Sequence, residues 1–313
     1  MIPLEGVWAA SVTPLTPNLE VDVERFHRYI GWLLDKGCHG VVVFGTTGEA
    51  NSFTVAERRA VLDGLCRLGT PMDRVIVGTG CSAEPDTIEL TSQASALGCA
   101  AALLLPPFYY KDVPDEGLFQ YFSRVIEGLG ASTPRVLFYH FPKMAGVGFS
   151  LSLLQRLEAA FPNVACGVKD SSGDADNLTR LVKGLDGMAV FAGSEALLPY
   201  AMNEGGVGCI SATANVTSEL ARRVYEGENE LGDLMIRTRR ALESLPVIAS
   251  MKHLLAEHFS EPQLRSVRPP LVPIGHKDVT KLSQVIETLR PLPNIHLEAE
   301  FQFQPAAKPV GPA

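Results

Sequence analysis

The chain has 313 residues, 46% hydrophobic and 20% charged, an ordinary globular balance and long enough for a large core without a metal or disulfide staple. Its 27 basic and 35 acidic residues give a net charge of −8 with no basic run, which argues against nucleic acid or an anionic membrane as partner. The six cysteines (Cys38, Cys66, Cys81, Cys99, Cys166 and Cys209) form no C-x-x-C pair and lie in apolar stretches, so they read as reduced residues of a cytoplasmic protein.

From Met1 the chain shows no basic n-region and carries Glu5 early, which does not fit a secretory signal. The first apolar run is Val7–Val12. A helical face follows in Val21–Leu34, where Val23, Phe26, Ile30, Leu33 and Leu34 recur at helical spacing. The run Gly40–Phe44 comes next, and Thr54 with Glu57 makes a capping box that opens another helix. Val75–Val77 is short and apolar. Thr91–Tyr110 is uncharged for twenty residues, but Gly98 and Pro106-Pro107 interrupt it, so it reads as a helix end, a buried strand at Ala101–Leu105 and a turn, not a membrane span. Leu118, Phe122, Val125 and Leu129 form a helical stripe before the run Val136–Tyr139. Val164–Val168, the stripe Leu178, Leu181 and Leu185, then Ala189–Ala192 and Val207–Ile210 complete the series. Beyond Ser211, Ser218–His258 and Val279–Leu289 read as helical, and Phe301–Ala313 is a Pro- and Ala-rich tail expected to be loosely ordered.

None of the eight apolar runs alternates with polar residues, the pattern of strands buried on both faces. Strands alternating with helices imply parallel βα units, and eight such units close a (β/α)8 TIM barrel. An open doubly wound sheet is the alternative, but no G-x-G-x-x-G follows the first strand. The expected division is a barrel core over 1–215, a C-terminal helical appendage over 216–300 and the tail over 301–313.

Barrel enzymes build their sites where strands end and βα loops begin. Those positions carry Gly45-Thr46-Thr47-Gly48-Glu49, Tyr109-Tyr110, Tyr139-His140, Lys169, Gly193-Ser194 and Ser211. Lys169 closes the apolar run 164–168 and would point into the barrel mouth. Desolvation disfavours an ammonium there, and a neutral amine can attack a ketone to form an imine. A lysine paired with a buried carboxylate would look the same in sequence. Tyr139 ends the neighbouring strand, where a phenol could move protons at an imine or simply be a hydrogen-bonded core residue. The 45–49 loop lacks G-K-[ST], so it is no P-loop, yet its N–H groups and hydroxyls suit a carboxylate. Strand alternation turns His140 and Asp170 away from the side their neighbours face. No metal or serine-triad pattern appears, and no cofactor is expected.

Together these motifs, with Pro107-Phe108-Tyr109-Tyr110, Glu116-Gly117-Leu118, Gly167-Val168-Lys169-Asp170, Gly193-Ser194-Glu195 and the segment 205–211, resemble the dihydrodipicolinate synthase and N-acetylneuraminate lyase family over roughly Leu4 to Ile274. The resemblance implies a class I lyase with pyruvate as the imine-bound partner. It implies Lys169 as the Schiff-base lysine, Tyr139 as the proton-transferring phenol, and Thr46 as the hydroxyl linking Tyr139 to Tyr110 of a neighbouring subunit. Thr46 and Thr47 would cradle the pyruvate carboxylate, with Gly193 and Ile210 near the bound pyruvyl group. It further implies a homotetramer, a dimer of dimers.

Dihydrodipicolinate synthases carry an arginine shortly after the tyrosine to hold the aldehyde's carboxylate. Here that position is Met144, and adjacent Lys143 is expected to face elsewhere. A methionine offers no bidentate fork. The resemblance therefore points to cleavage or condensation of a 2-oxo-3-deoxy sugar acid or a 4-hydroxy-2-oxo acid. A dehydratase or deaminase using the same imine stays open, and a true dihydrodipicolinate synthase or a non-catalytic 2-oxo acid sensor fits less well.

Overall fold

The computed structural model describes residues 3–130 and 134–288, so the tail over 301–313 and the last helical residues expected before it lie outside the described residues. Eight parallel strands close a barrel in sequence order: β1 (Gly6–Ala10), β2 (Gly40–Val43), β3 (Val75–Gly78), β4 (Ala101–Leu104), β5 (Val136–His140), β6 (Ala165–Asp170), β7 (Ala189–Ala192) and β8 (Gly208–Ser211). β8 returns to β1, with Trp8 opposite Ile210 on one side and Gly40 on the other. The doubly wound alternative is thereby excluded.

Around the barrel run α1 (Val23–Asp35), α2 (Val55–Arg67), α3 (Glu84–Ala96), α4 (Asp115–Gly128), the single turn α5 (Pro142–Ala145), α6 (Leu151–Ala160), α7 (Ala175–Gly184), α8 (Leu198–Glu204) and α9 (Ala214–Tyr225). Three more helices follow, α10 (Gly232–Glu243), α11 (Val247–His258) and α12 (His276–Thr288). The uncharged stretch 91–110 holds the end of α3, β4 and a turn, as its Gly98 and Pro106-Pro107 lead one to expect, and among the described residues no helix is long and apolar enough to cross a membrane.

The continuous apolar runs serve two cores at once. Trp8, Val42, Ile76, Leu103, Leu137 and Phe191 fill the barrel interior. Their chain neighbours, such as Val7, Val41, Val43 and Val75, face outward under the helices. On α1, Phe26, Tyr29, Ile30 and Leu33 are buried, and burial of each such side chain contributes about 1.5–3 kcal/mol. The local signals hold as well. Thr54 and Glu57 form a reciprocal capping box at α2, and Asp22, Ser150 and Asp174 accept backbone N–H bonds at the starts of α1, α6 and α7.

The seam between the first and last strands is fastened by one side chain. Buried Asn215 accepts bonds from Val12 N (3.1 Å) and the Tyr29 hydroxyl (2.6 Å) through Oδ1. Its Nδ2 donates to Ala10 O (2.7 Å) and Ala212 O (2.6 Å). All four bonding positions of the amide are used, as a buried amide requires. This also explains why β1 stops at Ala10: Ser11 N still reaches Val42 O, but Val12 N turns to Asn215 and leaves the ladder.

Candidate active site

The C-terminal mouth of the barrel opens into a cavity of about 790 Å³. Five of the seven expected site residues line it: Thr46, Thr47, Tyr139, Lys169 and Gly193. Lys169 sits in register between Tyr139 on β5 and Phe191 on β7, so the three side chains share the inner face. It is 4% exposed and Tyr139 is 3% exposed. The Lys169 Nζ lies 4.1 Å from the centroid of the Tyr139 ring. Tyr139 in turn stacks on Phe141 with centroids 5.5 Å apart, which fixes the ring. Its hydroxyl is 3.4 Å from Thr46 Oγ1, the long end of hydrogen-bond range.

No carboxylate forms an ion pair with Lys169 among the described residues. The buried lysine–carboxylate pair that sequence could not distinguish from a reactive lysine exists elsewhere, at Lys252 on α11. Its ammonium meets Glu49, and the two side chains are 1% and 0% exposed. Burial lowers the Lys252 pKa, and the Glu49 charge opposes that shift. Lys252 also donates to Ser266 O (2.7 Å), and the second Glu49 oxygen accepts from Arg268 N (2.7 Å). Glu49 itself sits at φ 59°, a left-handed position costly for a residue with a Cβ. The ion pair thus anchors the far side of the Thr46-Thr47 turn.

Arg268 completes that anchor. Its guanidinium donates to Leu19 O and Ser52 O (2.8 Å each) and pairs with Glu57 at 2.7 Å. The hydrogen bond from Arg268 holds the Glu57 carboxyl down to about 2. Immediately after Arg268, Pro270, Leu271 and Val272 form part of the cavity wall.

Gly193 is required by the close approach of β6 and β7. A Cβ there would lie 2.0 Å from Ser171 Oγ and 2.7 Å from Asp170 O, whose carbonyl accepts the Gly193 N–H at 2.7 Å. The next residues lead to Glu195, 1% exposed, which accepts from Ser211 Oγ (3.0 Å), Thr217 Oγ1 (2.6 Å) and Thr213 Oγ1. Burial raises the Glu195 pKa, and the Thr217 hydroxyl, Arg239 and the Ser211 hydroxyl pull against it. His140 and Asp170 face out of the barrel interior. His140 Nδ1 accepts from Phe149 N (2.9 Å), while Asp170 accepts from Ser172 N (2.9 Å) and Asn177 Nδ2 (3.0 Å). Burial lowers the His140 pKa, against the pull of Asp170.

Two predicted site residues lie apart. Ile210 is fully buried within the barrel interior and is not among the residues that line the cavity. Tyr110 is 73% exposed on the segment between β4 and α4, edge-on to Tyr109 at 5.4 Å. One expectation is corrected: Lys143 does not face elsewhere but lines the cavity beside Met144. The chain after β5 winds into the single turn α5, so strand alternation no longer governs which way residue 143 points. Sequence reasoning also missed the wall supplied by Arg239, Arg240 and Glu243 of α10 and Val247 and Ile248 of α11.

A sequence profile described as the Dihydrodipicolinate synthetase family matches residues 3–289. An uncharacterized DapA-like lyase of Chloroflexus aurantiacus is 33% identical over 291 residues, which cover 91% of this chain and 96% of that protein. Among solved structures, dihydrodipicolinate synthase from Agrobacterium tumefaciens superposes with a TM-score of 0.87 at 32% identity, covering 91% of this chain and 99% of that one. The chloride-inhibited dihydrodipicolinate synthase from Acinetobacter baumannii, complexed with pyruvate, gives a TM-score of 0.81 at 29% identity, covering 92% and 99%. The match spans the whole barrel, including the strand ends that carry Thr46, Tyr139 and Lys169. The chain belongs to the dihydrodipicolinate synthetase family, a family of lyases.

Proposed function

We propose that the protein is a Schiff-base aldolase that cleaves or forms the C3–C4 bond of a 2-oxo acid, a 2-oxo-3-deoxy sugar acid or a 4-hydroxy-2-oxo acid, with pyruvate as the imine-bound partner. The observation that carries this reading is the Lys169 amine, buried, without a carboxylate partner among the described residues, and set against the Tyr139 ring at the floor of a large cavity. A purely structural lysine would resemble Lys252, neutralised by Glu49. The relative crystallised with pyruvate lends further support.

In this reading Lys169 Nζ adds to the C2 carbonyl, and the amine proton passes to the carbonyl oxygen. The Tyr139 hydroxyl protonates the departing hydroxyl, releasing water and leaving a phenolate beside a protonated imine. The phenolate takes the proton of the C4 hydroxyl. The C3–C4 electron pair moves into the imine, the aldehyde leaves, and an enamine remains. Tyr139 returns its proton to C3, and hydrolysis frees pyruvate and the amine. Thr46 and Thr47 hold the C1 carboxylate by hydroxyl and backbone N–H groups, with Gly193 and Ile210 supplying backbone close to the pyruvyl group. Thr46 links Tyr139 to Tyr110 of a neighbouring subunit in a homotetramer. Met144 in place of a carboxylate-binding arginine argues against aspartate semialdehyde as the aldehyde.

The test is reduction with borohydride in the presence of pyruvate, followed by intact mass and peptide mapping. One reduced adduct on the Lys169 peptide, absent in Lys169→Ala, is expected. No adduct with pyruvate or with larger 2-oxo acids would overturn the imine reading.

A further inference from the structure

The cavity is far larger than pyruvate needs, and its outer half combines apolar residues with an excess of positive charge. Val247, Ile248, Leu271, Val272 and Met144 make that half largely apolar, which lowers the local dielectric and strengthens any charge within it. Lys143, Arg239 and Arg240 line it against the single outer acid Glu243, and Asp170 is occupied at the strand end by Ser172 and Asn177. A chain with net charge −8 therefore turns a locally positive face toward its own pocket.

Arg239 differs from the other two cations. Lys143 and Arg240 are exposed, whereas Arg239 is 8% exposed. Its Nε donates to Ser194 Oγ at 3.0 Å, and its Nη2 reaches Glu243 only at 3.6 Å. Its Nη1 is buried with no hydrogen-bond partner among the described residues. A guanidinium has five N–H donors and stays charged, so one on the cavity wall with donors still unmet can receive an anion. Ser194 Oγ also caps the turn after β7 by accepting from Ala196 N (3.3 Å), which fixes the Nε contact and aligns the fork.

We propose that Arg239 is a specificity-determining residue that binds a second carboxylate at the far end of the substrate, so that the 2-oxo acid used here is a dicarboxylate. This rests on the reading of the cavity as a 2-oxo acid site. The guanidinium comes from α10 and not from the position of Met144, and the aldehyde product carries the second carboxylate. The competing role for Arg239 is structural, offsetting the charge of buried Glu195 behind it.

Calorimetric titration separates the two. The probes are 2-oxoglutarate and 2-oxoadipate against 2-oxopentanoate and 2-oxohexanoate, matched in length and lacking the distal charge. The parent protein is expected to bind the dicarboxylates about ten-fold or more tightly, the size of a charge-assisted bond in a desolvated site. In Arg239→Gln the preference falls to within about two-fold while pyruvate binding stays unchanged, and Arg239→Lys restores part of it. A purely structural role would weaken all the ligands together. No preference in the parent protein overturns the proposal, as does a preference that survives Arg239→Gln. If Arg239→Gln does not fold, Lys143→Gln and Arg240→Gln decide: loss of the preference in either overturns the proposal, and its retention in both supports it. Repeating the titration in Lys169→Ala removes the imine but not the outer subsite. A preference there, alongside failed borohydride trapping, would sink the imine reading and leave Arg239's role standing.

Discussion

Replacing Lys252 by methionine removes one half of an ion pair whose members are 1% and 0% exposed. The volume is nearly conserved, so the change is chiefly electrostatic. Glu49 keeps the Arg268 N–H on one oxygen but loses the counter-charge on the other. Leaving a buried charge uncompensated costs about 3–5 kcal/mol. For a chain of 313 residues each kcal/mol shifts Tm by about 1.5 °C, so a fall of about 5–8 °C is expected. The double variant Lys252→Met/Glu49→Gln removes the stranded charge as well and should recover more than half of the loss. Thermal and urea melts at fixed protein concentration read both values. A Lys252→Met protein within about 1 kcal/mol of the parent, or a double variant no better than the single, would refute the argument that this pair is matched and desolvated.

Tyr139→Phe should still give a borohydride-trapped adduct at Lys169 but turn over about 10²–10⁴-fold more slowly, as expected for loss of a positioned acid–base; unchanged turnover would remove Tyr139 from proton transfer. Refolding Lys169→Ala and Tyr110→Phe chains together should yield activity well above the sum of the two refolded separately, because mixed assemblies unite one chain's Lys169 with another's Tyr110. Simple additivity would argue that Tyr110 serves no neighbouring site. At the base of the barrel His39 Nδ1 accepts from Val7 N (2.9 Å), and burial, with Arg222 and Arg74 nearby, holds its imidazole down from 6.5 to about 4. The folded state stays neutral where the unfolded chain takes a proton, so stability should fall as pH drops from 6.5 to about 4 and level off below. His39→Asn, which retains an acceptor, should flatten that slope, and an unchanged slope would place the titration elsewhere.

Much of this was legible in the chain because buried parallel strands read as unbroken apolar runs. Every run marked in the sequence is a strand, with ends displaced by one or two residues where tertiary contacts intervene. Val12 leaves β1 for Asn215, a residue 203 positions away that no local pattern could name. Lys169 falls inside β6, not after it, because Tyr139 and Phe191 pair with it on both sides. The floor of the cavity was readable for the same reason: strand ends are local features. Its outer wall was not. Arg239 stands in the polar run Arg237-Thr238-Arg239-Arg240, which looks like a solvated helix face, and only the docking of α10 on the turn after β7 buries it. Lys252 likewise breaks an apolar stripe on α11 without showing which carboxylate answers it.

The contacts of Glu49 set an order on how the site can be made. The Thr46-Thr47 turn is synthesised early, yet the groups that pin it, Lys252 and Arg268, come more than 200 residues later. A chain emerging from the ribosome, even after all eight strands have left the exit tunnel, still lacks the ammonium and the backbone N–H that hold Glu49 in its left-handed conformation. The turn at the barrel mouth is therefore pinned only once α11 and the segment that carries Arg268 have been made.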